Sequence, residues 1–325
     1  TAAVYGPNAS GKSTLVDAIS FMQMAVQDSH RVWKPDAGIP RAPFALDSVC
    51  PEKPSTFTVD LLLDGVRFEY GFVVDFDRVL EEWLFAYPRG RKQEWFTRDV
   101  GRDEEFAFSR LMPGENRAIR SLTRPNSLFL SAAAQNNHEA LAPLYEWFSQ
   151  KLEIVDEGTR AILIQSMAEV CVDEEYRKAV LAVLRAADLG ISDIEVIDRK
   201  IPRKWLDWMA EEDGFRRYEV RIHHSTGADG GDVTLPFSDE SGGTRALFGL
   251  AGPVVDALRD GGVLVVDELD QSLHTHLAMQ IVKLFSDPAS NPNNAQLIFN
   301  THDTNLLDSE LLRRDQVWFT EKGRD

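Results

Sequence analysis

The chain has 325 residues, 43% of them hydrophobic, with 52 acidic against 35 basic side chains and a formal net charge of −17. That apolar content supports one large domain or two modest ones, and its two cysteines, Cys50 and Cys171, exclude a disulfide framework and point to a reducing cytoplasm. No apolar run reaches the roughly 20 residues that span a bilayer, and an acidic surface opposes nucleic acid, whose affinity rests on Lys and Arg meeting phosphates.

Thr1 already stands inside a short β-type run, Ala2 to Tyr5, so more sheet is expected upstream of it. The next nine residues, Gly6-Pro7-Asn8-Ala9-Ser10-Gly11-Lys12-Ser13-Thr14, fit G-x-x-x-x-G-K-[ST], the phosphate-binding loop. Leu15, Ile19, Met22 and Val26 then recur at helical spacing, which completes the order strand, glycine loop, helix. Each residue type has a physical task. Gly6 and Gly11 let the backbone curl so that successive N–H groups face a triphosphate. Lys12 sets a cation on the outer phosphates, the Ser13 hydroxyl can ligate Mg²⁺, and the helix N-terminus adds its own positive end. A glycine-serine turn that binds nothing would leave the placement of Lys12 without a reason.

Residues 30–54 carry Pro35, Gly38, Pro40, Pro43, Pro51 and Pro54 and read as an irregular excursion. Alternating Phe57, Val59, Leu61 and Leu63, the Asp64-Gly65 turn, and Val66 to Val74 predict a hairpin. Val79 to Tyr87 and Gln93 to Val100 extend it to an antiparallel lobe of about four strands. Ser127 to Ser131 reads as a return strand that leads to Gln135. Leu141, Leu144, Phe148 and Leu152 mark one helical face, Thr159 to Leu189 one or two further helices ended by Gly190. Ile191 to Ile201 and Tyr218 to His224 read as strands around a Trp-rich stretch. The short basic clusters Arg89 to Lys92, Arg199-Lys200 with Arg203-Lys204, and Arg216-Arg217 read as solvated turns rather than a nucleic-acid track. No heptad run marks a coiled coil.

Ser241-Gly242-Gly243-Thr244 precedes a helix predicted from Arg245 to Leu258. Small residues at a helix N-terminus leave free N–H groups and a hydroxyl for an anion. One domain needs one phosphate loop, so a second anion site points to a nucleotide held by another protomer. Gly261 to Val266 is a buried-type strand that ends in Asp267 and Glu268. Chemistry in such sheets sits at the carboxyl ends of strands. Asp267 can serve the Mg²⁺ shell while Glu268 polarises the attacking water. Leu269 to His274 reads as the start of the next helix, and Gln296 to Asp303 as another core strand whose His302 can reach the terminal phosphate. His274 and His276 lack further ligands, so zinc is rejected. Trp318 to Gly323 reads as a strand leading elsewhere.

In order and spacing these motifs resemble the ABC-type ATPases: Walker A at Gly6 to Thr14, signature at Ser241 to Thr244, Walker B at Val263 to Glu268, D-loop at Leu269 to His274, switch histidine at His302. The Leu273-His274 pair and Asn300-Thr301-His302-Asp303 look most like the soluble bacterial branch, the RloA and AbiL abortive-infection type, related to DNA-repair and chromosome-maintenance ATPases. The signature departs from the family pattern, with Glu240 and Thr244 where Leu and Gln are usual. The resemblance implies an α/β P-loop fold of ABC type, with a mainly parallel core sheet, an antiparallel β lobe and a helical lobe. It implies one ATPase domain over residues 1–325, in which 1–50 hold Walker A, 51–112 the β lobe, 113–190 the Q-loop region and helical lobe, and 191–325 the remaining motifs. ATP and Mg²⁺ are the implied cofactors. Lys12, Glu268 and His302 carry catalysis, and Ser13, Asp267 and Gln135, the Q-loop residue, serve the metal. Ser241, Gly242 and Gly243 complete the partner's site in an ATP-dependent homodimer. An effector protein is a further expected partner, DNA is one that the net charge does not indicate, and the expected function is in phage defence, with a repair clamp or a weakly hydrolysing scaffold as alternatives.

Overall fold

Aliphatic and aromatic runs bounded by turn residues form the strands, and several helices start at capping side chains such as Asp156, Asp173 and Ser241. The computed structural model describes residues 1–44, 49–187, 189–199, 218–226, 232–271 and 273–322. In chain order come β1 (Ala2–Tyr5), α1 (Lys12–Asp28), β2 (Ser55–Leu63), β3 (Val66–Val74), β4 (Val79–Tyr87), β5 (Gln93–Asp99), β6 (Phe106–Phe108), α2 (Asn116–Leu122), α3 (Phe129–Gln135) and α4 (Ala142–Glu146). They continue with β7 (Leu152–Val155), α5 (Glu157–Val170), α6 (Glu174–Ala186), β8 (Ile191–Asp198), β9 (Tyr218–His224), β10 (Val233–Pro236), α7 (Gly242–Asp260), β11 (Val263–Val266), α8 (Thr275–Ser286), β12 (Gln296–Asn300) and β13 (Val317–Phe319). The chain divides into two compact units, Thr1–Val16 with Glu153–Asp325, and Asp17–Leu152.

The first unit is built on a sheet of order β13-β1-β12-β11-β7. β1 pairs in parallel with both β12 and β13, and β11 in parallel with β12. Val263 to Val266 are all buried, as a strand covered on both faces requires. Leu264, Val266, Leu297 and Phe299 join one apolar core with Leu247 and Val254 of α7 and Ile281 and Val282 of α8. Each such side chain, fully buried, contributes about 1.5–3 kcal/mol. β8, β9 and β10 form a separate antiparallel sheet, in which Ile194 pairs with Ile222 and Leu235 with Ile222 from the other side. Asp156 caps α5 through a reciprocal bond with Thr159, and Asp173 caps α6 by accepting from the Tyr176 amide.

The second unit holds an antiparallel meander of order β2-β3-β4-β5-β6, with β2 and β3 joined at Asp64-Gly65. Both turn residues lie at positive φ, 48° and 75°, as a tight two-residue hairpin demands. Phe21, Phe57, Phe72, Tyr70 and Phe148 pack as a run of neighbouring rings with centroids 4.8–6.3 Å apart. The fold is α/β throughout, with a mainly parallel core sheet in one unit and an antiparallel sheet in the other.

Three expectations need correction. Ser127 to Ser131 is no strand: Phe129 begins helix α3, because Glu82 accepts the Phe129 and Leu130 amides and three alanines follow. The segment Leu269 to Asp270 is turn rather than helix, and α8 starts only at Thr275, capped by His274. The expected strand to Ile201 ends at Asp198. Lys200, Ile201, Arg203, Lys204, Arg216 and Arg217, the Trp-rich stretch, Ser272 and Gly323 lie outside the described residues.

Candidate nucleotide site

The loop between β1 and α1 is shaped by two residues at positive φ, Ala9 at 60° and Gly11 at 96°. A side chain is strained at the latter, which is why glycine stands there. Gly6 is fixed by crowding instead: a Cβ would meet Thr320 Oγ1 at 2.3 Å and its carbonyl oxygen at 2.5 Å. Thr320 closes the loop from the C-terminal side, its amide donating to Tyr5 O at 2.8 Å and its hydroxyl sharing a 2.7 Å hydrogen bond with Ser10 Oγ. Among the described residues, the amides of Gly11, Lys12 and Ser13 donate to no backbone carbonyl; Leu15, donating to Gly11 O at 3.2 Å, opens the helical ladder. These amides are the orphan donors of a helix N-terminus.

Lys12 is the unusual side chain. It is only 6% exposed, its Nζ donates to Gly6 O at 2.9 Å and Pro7 O at 3.1 Å, and no carboxylate pairs with it among the described residues. A buried cation without a counter-charge is costly unless a ligand completes it.

Opposite the loop, β11 ends in Asp267 and Glu268. Asp267 N donates to Val155 O at 2.8 Å, and Asn300 Nδ2 donates to Asp267 Oδ1. The same Asn300 accepts the Glu268 amide through Oδ1 at 2.7 Å. Glu268 has φ of 51°, a left-handed conformation that a non-glycine residue keeps only when its surroundings hold it. Arg160 of α5 supplies that hold: its guanidinium donates to Asp267 O at 2.5 Å, Glu268 O at 2.8 Å and Gln271 O at 3.1 Å. Burial pulls the Arg160 pKa down, against the nearby charges of Asp267, Glu268 and Asp270. From β12, Thr301 Oγ1 and the His302 amide both donate to Asp270 Oδ1, at 2.6 and 3.3 Å, and leave the His302 ring exposed. Asn8, Ala9, Gly11, Lys12, Ser13, Thr14, Glu268 and His302 line one cleft of about 610 Å³.

Not every expected residue meets there. Gly242 lines a separate cavity of about 810 Å³, bounded in part by α5, β9 and α7. Ser241 caps α7, its Oγ accepting the Thr244 amide at 3.1 Å, and both Ser241 and Gly242 are exposed. Glu240, directly before them, is buried and bonded to His224 Nε2 at 2.7 Å. Gln135 is the exposed last residue of α3 in the second unit. Sequence reasoning missed Arg160, Asn300 and Thr320. Asn300 stands within the Asn300-Thr301-His302-Asp303 motif, but its double contact depends on the register of β12 against β11, and Arg160 has no local signal at all.

Residues 2–308 match the model of the family described as AAA domain, putative AbiEii toxin, type IV TA system. The chain belongs to that family. It is thus an AAA-type P-loop ATPase domain with nucleotide-binding motifs. Among solved structures it is similar to an Smc head bound to the C-terminal winged-helix domain of ScpA, at 14% identity and a TM-score of 0.42, over 92% of this chain and 81% of that one. It is likewise similar to an Smc head with an extended coiled coil bound to the C-terminal domain of ScpA from Pyrococcus furiosus, at 14% identity and a TM-score of 0.37, over 94% and 84%. No curated protein matches the sequence. Among the described residues, no helix is long and apolar enough to cross a membrane.

P-loop ATPases of this AAA kind use ATP and Mg²⁺, and the residues present fit both. The free amides, the uncompensated Lys12 and the exposed Ser13 hydroxyl form an anion cradle. Asp267 Oδ2 takes no hydrogen bond among the described residues, and together with Ser13 it gives the hard oxygen donors that Mg²⁺ prefers. No group of three His, Cys, Asp or Glu with metal-holding geometry occurs among the described residues.

Proposed function

We propose that this chain binds and hydrolyses MgATP, and that two copies close head-to-tail around two nucleotides. The observation that carries the reading is Lys12, a buried cation whose only partners among the described residues are the carbonyls of its own loop, in a cleft shared with Glu268 and His302. In this reading the Gly6–Thr14 backbone and Lys12 hold the phosphates, and Ser13 and Asp267 hold Mg²⁺, which offsets the charge that develops on the phosphate oxygens. Glu268 is the general base that takes a proton from the attacking water. Its carboxylate is aimed by the left-handed backbone that Arg160 and Asn300 secure. His302 steadies the transferred phosphoryl group.

Ser241, Gly242 and Gly243 act on the nucleotide of the other protomer. The exposure of Ser241 and Gly242 at the start of the α7 helix, outside the lining of their own chain's cleft, supports a composite site. ATP then switches association, and turnover is slow. Residues 1–325 work as one ATPase domain in the cytoplasm. The family description supports a place in a toxin–antitoxin system; in this reading the chain is itself an ATPase of the RloA or AbiL kind, and its dimer regulates an effector in phage defence.

The test is phosphate release and size-exclusion chromatography with and without MgATP, comparing wild type with Glu268→Gln, with a DNA arm. Glu268→Gln is expected to lose roughly 10²–10⁴-fold in turnover while it traps the ATP-bound dimer. Unchanged turnover would remove Glu268 as the base. Strong stimulation by DNA would favour a repair clamp, and a dimer without hydrolysis a scaffold.

A further inference from the structure

The second unit assembles a cationic pocket from residues that belong to none of the sequence motifs. Arg78 comes from the turn before β4, Arg98 from β5, and Arg117 and Arg120 from consecutive turns of α2. All four guanidinium groups line one cavity of about 390 Å³, and Glu105 is the only acid among its lining residues. Four positive charges face one negative charge, in a chain whose overall charge is −17.

That single carboxylate is already committed. Arg98, with a side chain only 2% exposed, donates to Glu105 Oε1 at 2.6 Å, and also to Ser127 O at 2.9 Å. Arg78 reaches the same oxygen only at 3.9 Å, and its Nε is closed off from water with no hydrogen-bond partner among the described residues. An orphaned donor of this kind costs stability that the fold itself does not recover. Arg117 and Arg120 pair with no carboxylate among the described residues; Arg120 instead lies over the Phe106 ring at 5.6 Å, beside Arg98 at 5.0 Å. Arg98 also donates to Pro125 O at 3.4 Å, so its fork is spent within the fold and it lends the pocket charge, while the exposed Arg117 and Arg120 keep forks suited to bidentate recognition of anionic oxygens.

We propose that the pocket formed by Arg78, Arg98, Arg117 and Arg120 is a second anion site, distinct from the phosphate loop, and that it takes phosphate groups. Arg98 and the buried side of Arg78 form its fixed floor, and Arg117 and Arg120 its mobile rim, able to close over a bound phosphate because neither is tied to an acid. The cavity holds a short polyphosphate moiety. The phosphates belong either to a free polyphosphate ligand or to a nucleic-acid backbone, and the two sources share the chemistry but differ in salt dependence. The site stands independently of how the ATP cleft works.

The experiment uses the full chain with Lys12→Ala, which removes phosphate binding at the loop, and adds Arg117→Ala/Arg120→Ala on that background. The probes are inorganic tripolyphosphate by calorimetry and a fluorescent 20-mer DNA by anisotropy at several salt concentrations. The Lys12→Ala protein is expected to bind at least one probe, and the added substitutions to weaken that binding roughly ten- to a hundredfold, as the loss of charge-assisted hydrogen bonds implies. Because both rim residues are exposed, circular dichroism should show the fold retained; Arg117→Lys/Arg120→Lys should restore part of the affinity. Loss confined to tripolyphosphate assigns a free ligand. A DNA signal whose salt slope falls by about one per arginine assigns a backbone. Binding of neither probe by the Lys12→Ala protein, or equal binding with and without the rim arginines, overturns the site.

Discussion

Lys12 in the first unit and Glu82 in the second are both buried ionisable groups beside helix N-termini, yet they are treated in opposite ways. Glu82, 0% exposed, accepts from Tyr70 Oη at 3.0 Å, Phe129 N at 2.6 Å and Leu130 N at 3.0 Å, with the Arg98 charge nearby. Burial still pushes its pKa up, but its oxygens are well supplied with donors. Lys12 has carbonyls and, among the described residues, no paired carboxylate. A complete network marks a charge that builds the fold; an incomplete one marks a charge that waits for a ligand. The difference separates architecture from function where burial alone would not.

The largest effect that sharpens this contrast is expected at Glu82. Glu82→Ala strands two helix amides and a tyrosine hydroxyl in the interior, and should cost about 3–5 kcal/mol in urea unfolding, as the loss of one partner from a buried charge network does. Glu82→Gln keeps one acceptor oxygen and should cost less. A loss below about 1 kcal/mol for the alanine variant would show that the network is not structural. Lys12→Ala should do the reverse: binding of ATP falls below detection, while stability stays within about 1 kcal/mol of wild type or rises, because a residue poised for a ligand is a local burden. If Lys12→Ala were strongly destabilising, the two buried charges would be alike after all.

What the sequence revealed follows the same division. The phosphate loop and the Asp267-Glu268 strand end are contiguous, and each residue is constrained by chemistry next to it in the chain, so both were legible. Glu82 was not, although a carboxylate at an inward position of the alternating Val79–Tyr87 strand is itself a break in pattern. Its partners lie 47 and 48 residues away, and this distant cap converts the apolar Leu128-Phe129-Leu130 from an apparent strand into the entry of α3. Arg160 and the four-arginine pocket share that character. Their meaning arises only when separate elements converge, and no local spacing announces it. The Arg89 to Lys92 cluster drew notice because it is consecutive, whereas Arg78, Arg98, Arg117 and Arg120 are scattered and meet only in the folded lobe.

The smallest effect expected is a pH dependence confined to the second unit. His138 is buried; its Nε2 lies 2.8 Å from Asn116 Oδ1, so Nε2 carries the proton, and Nδ1 is enclosed with no partner. Burial holds the His138 pKa below its usual value, against a backbone hydrogen bond at His138 that favours the charged ring. His30 is lowered as well, by burial and then by the Arg124 charge. For both, the folded state binds fewer protons than the unfolded one. Their contribution is therefore fully present above the unfolded value near pH 6.5 and is lost as pH falls through that value toward the lowered folded pKa. Urea midpoints for the β lobe should decline from pH 7 to pH 5, and the decline should be shallower in His138→Gln, which keeps a donor to Asn116 but cannot take up a proton. An unchanged slope in that variant would place the acid sensitivity elsewhere and leave the second unit with one fewer charge-controlled contact than its geometry indicates.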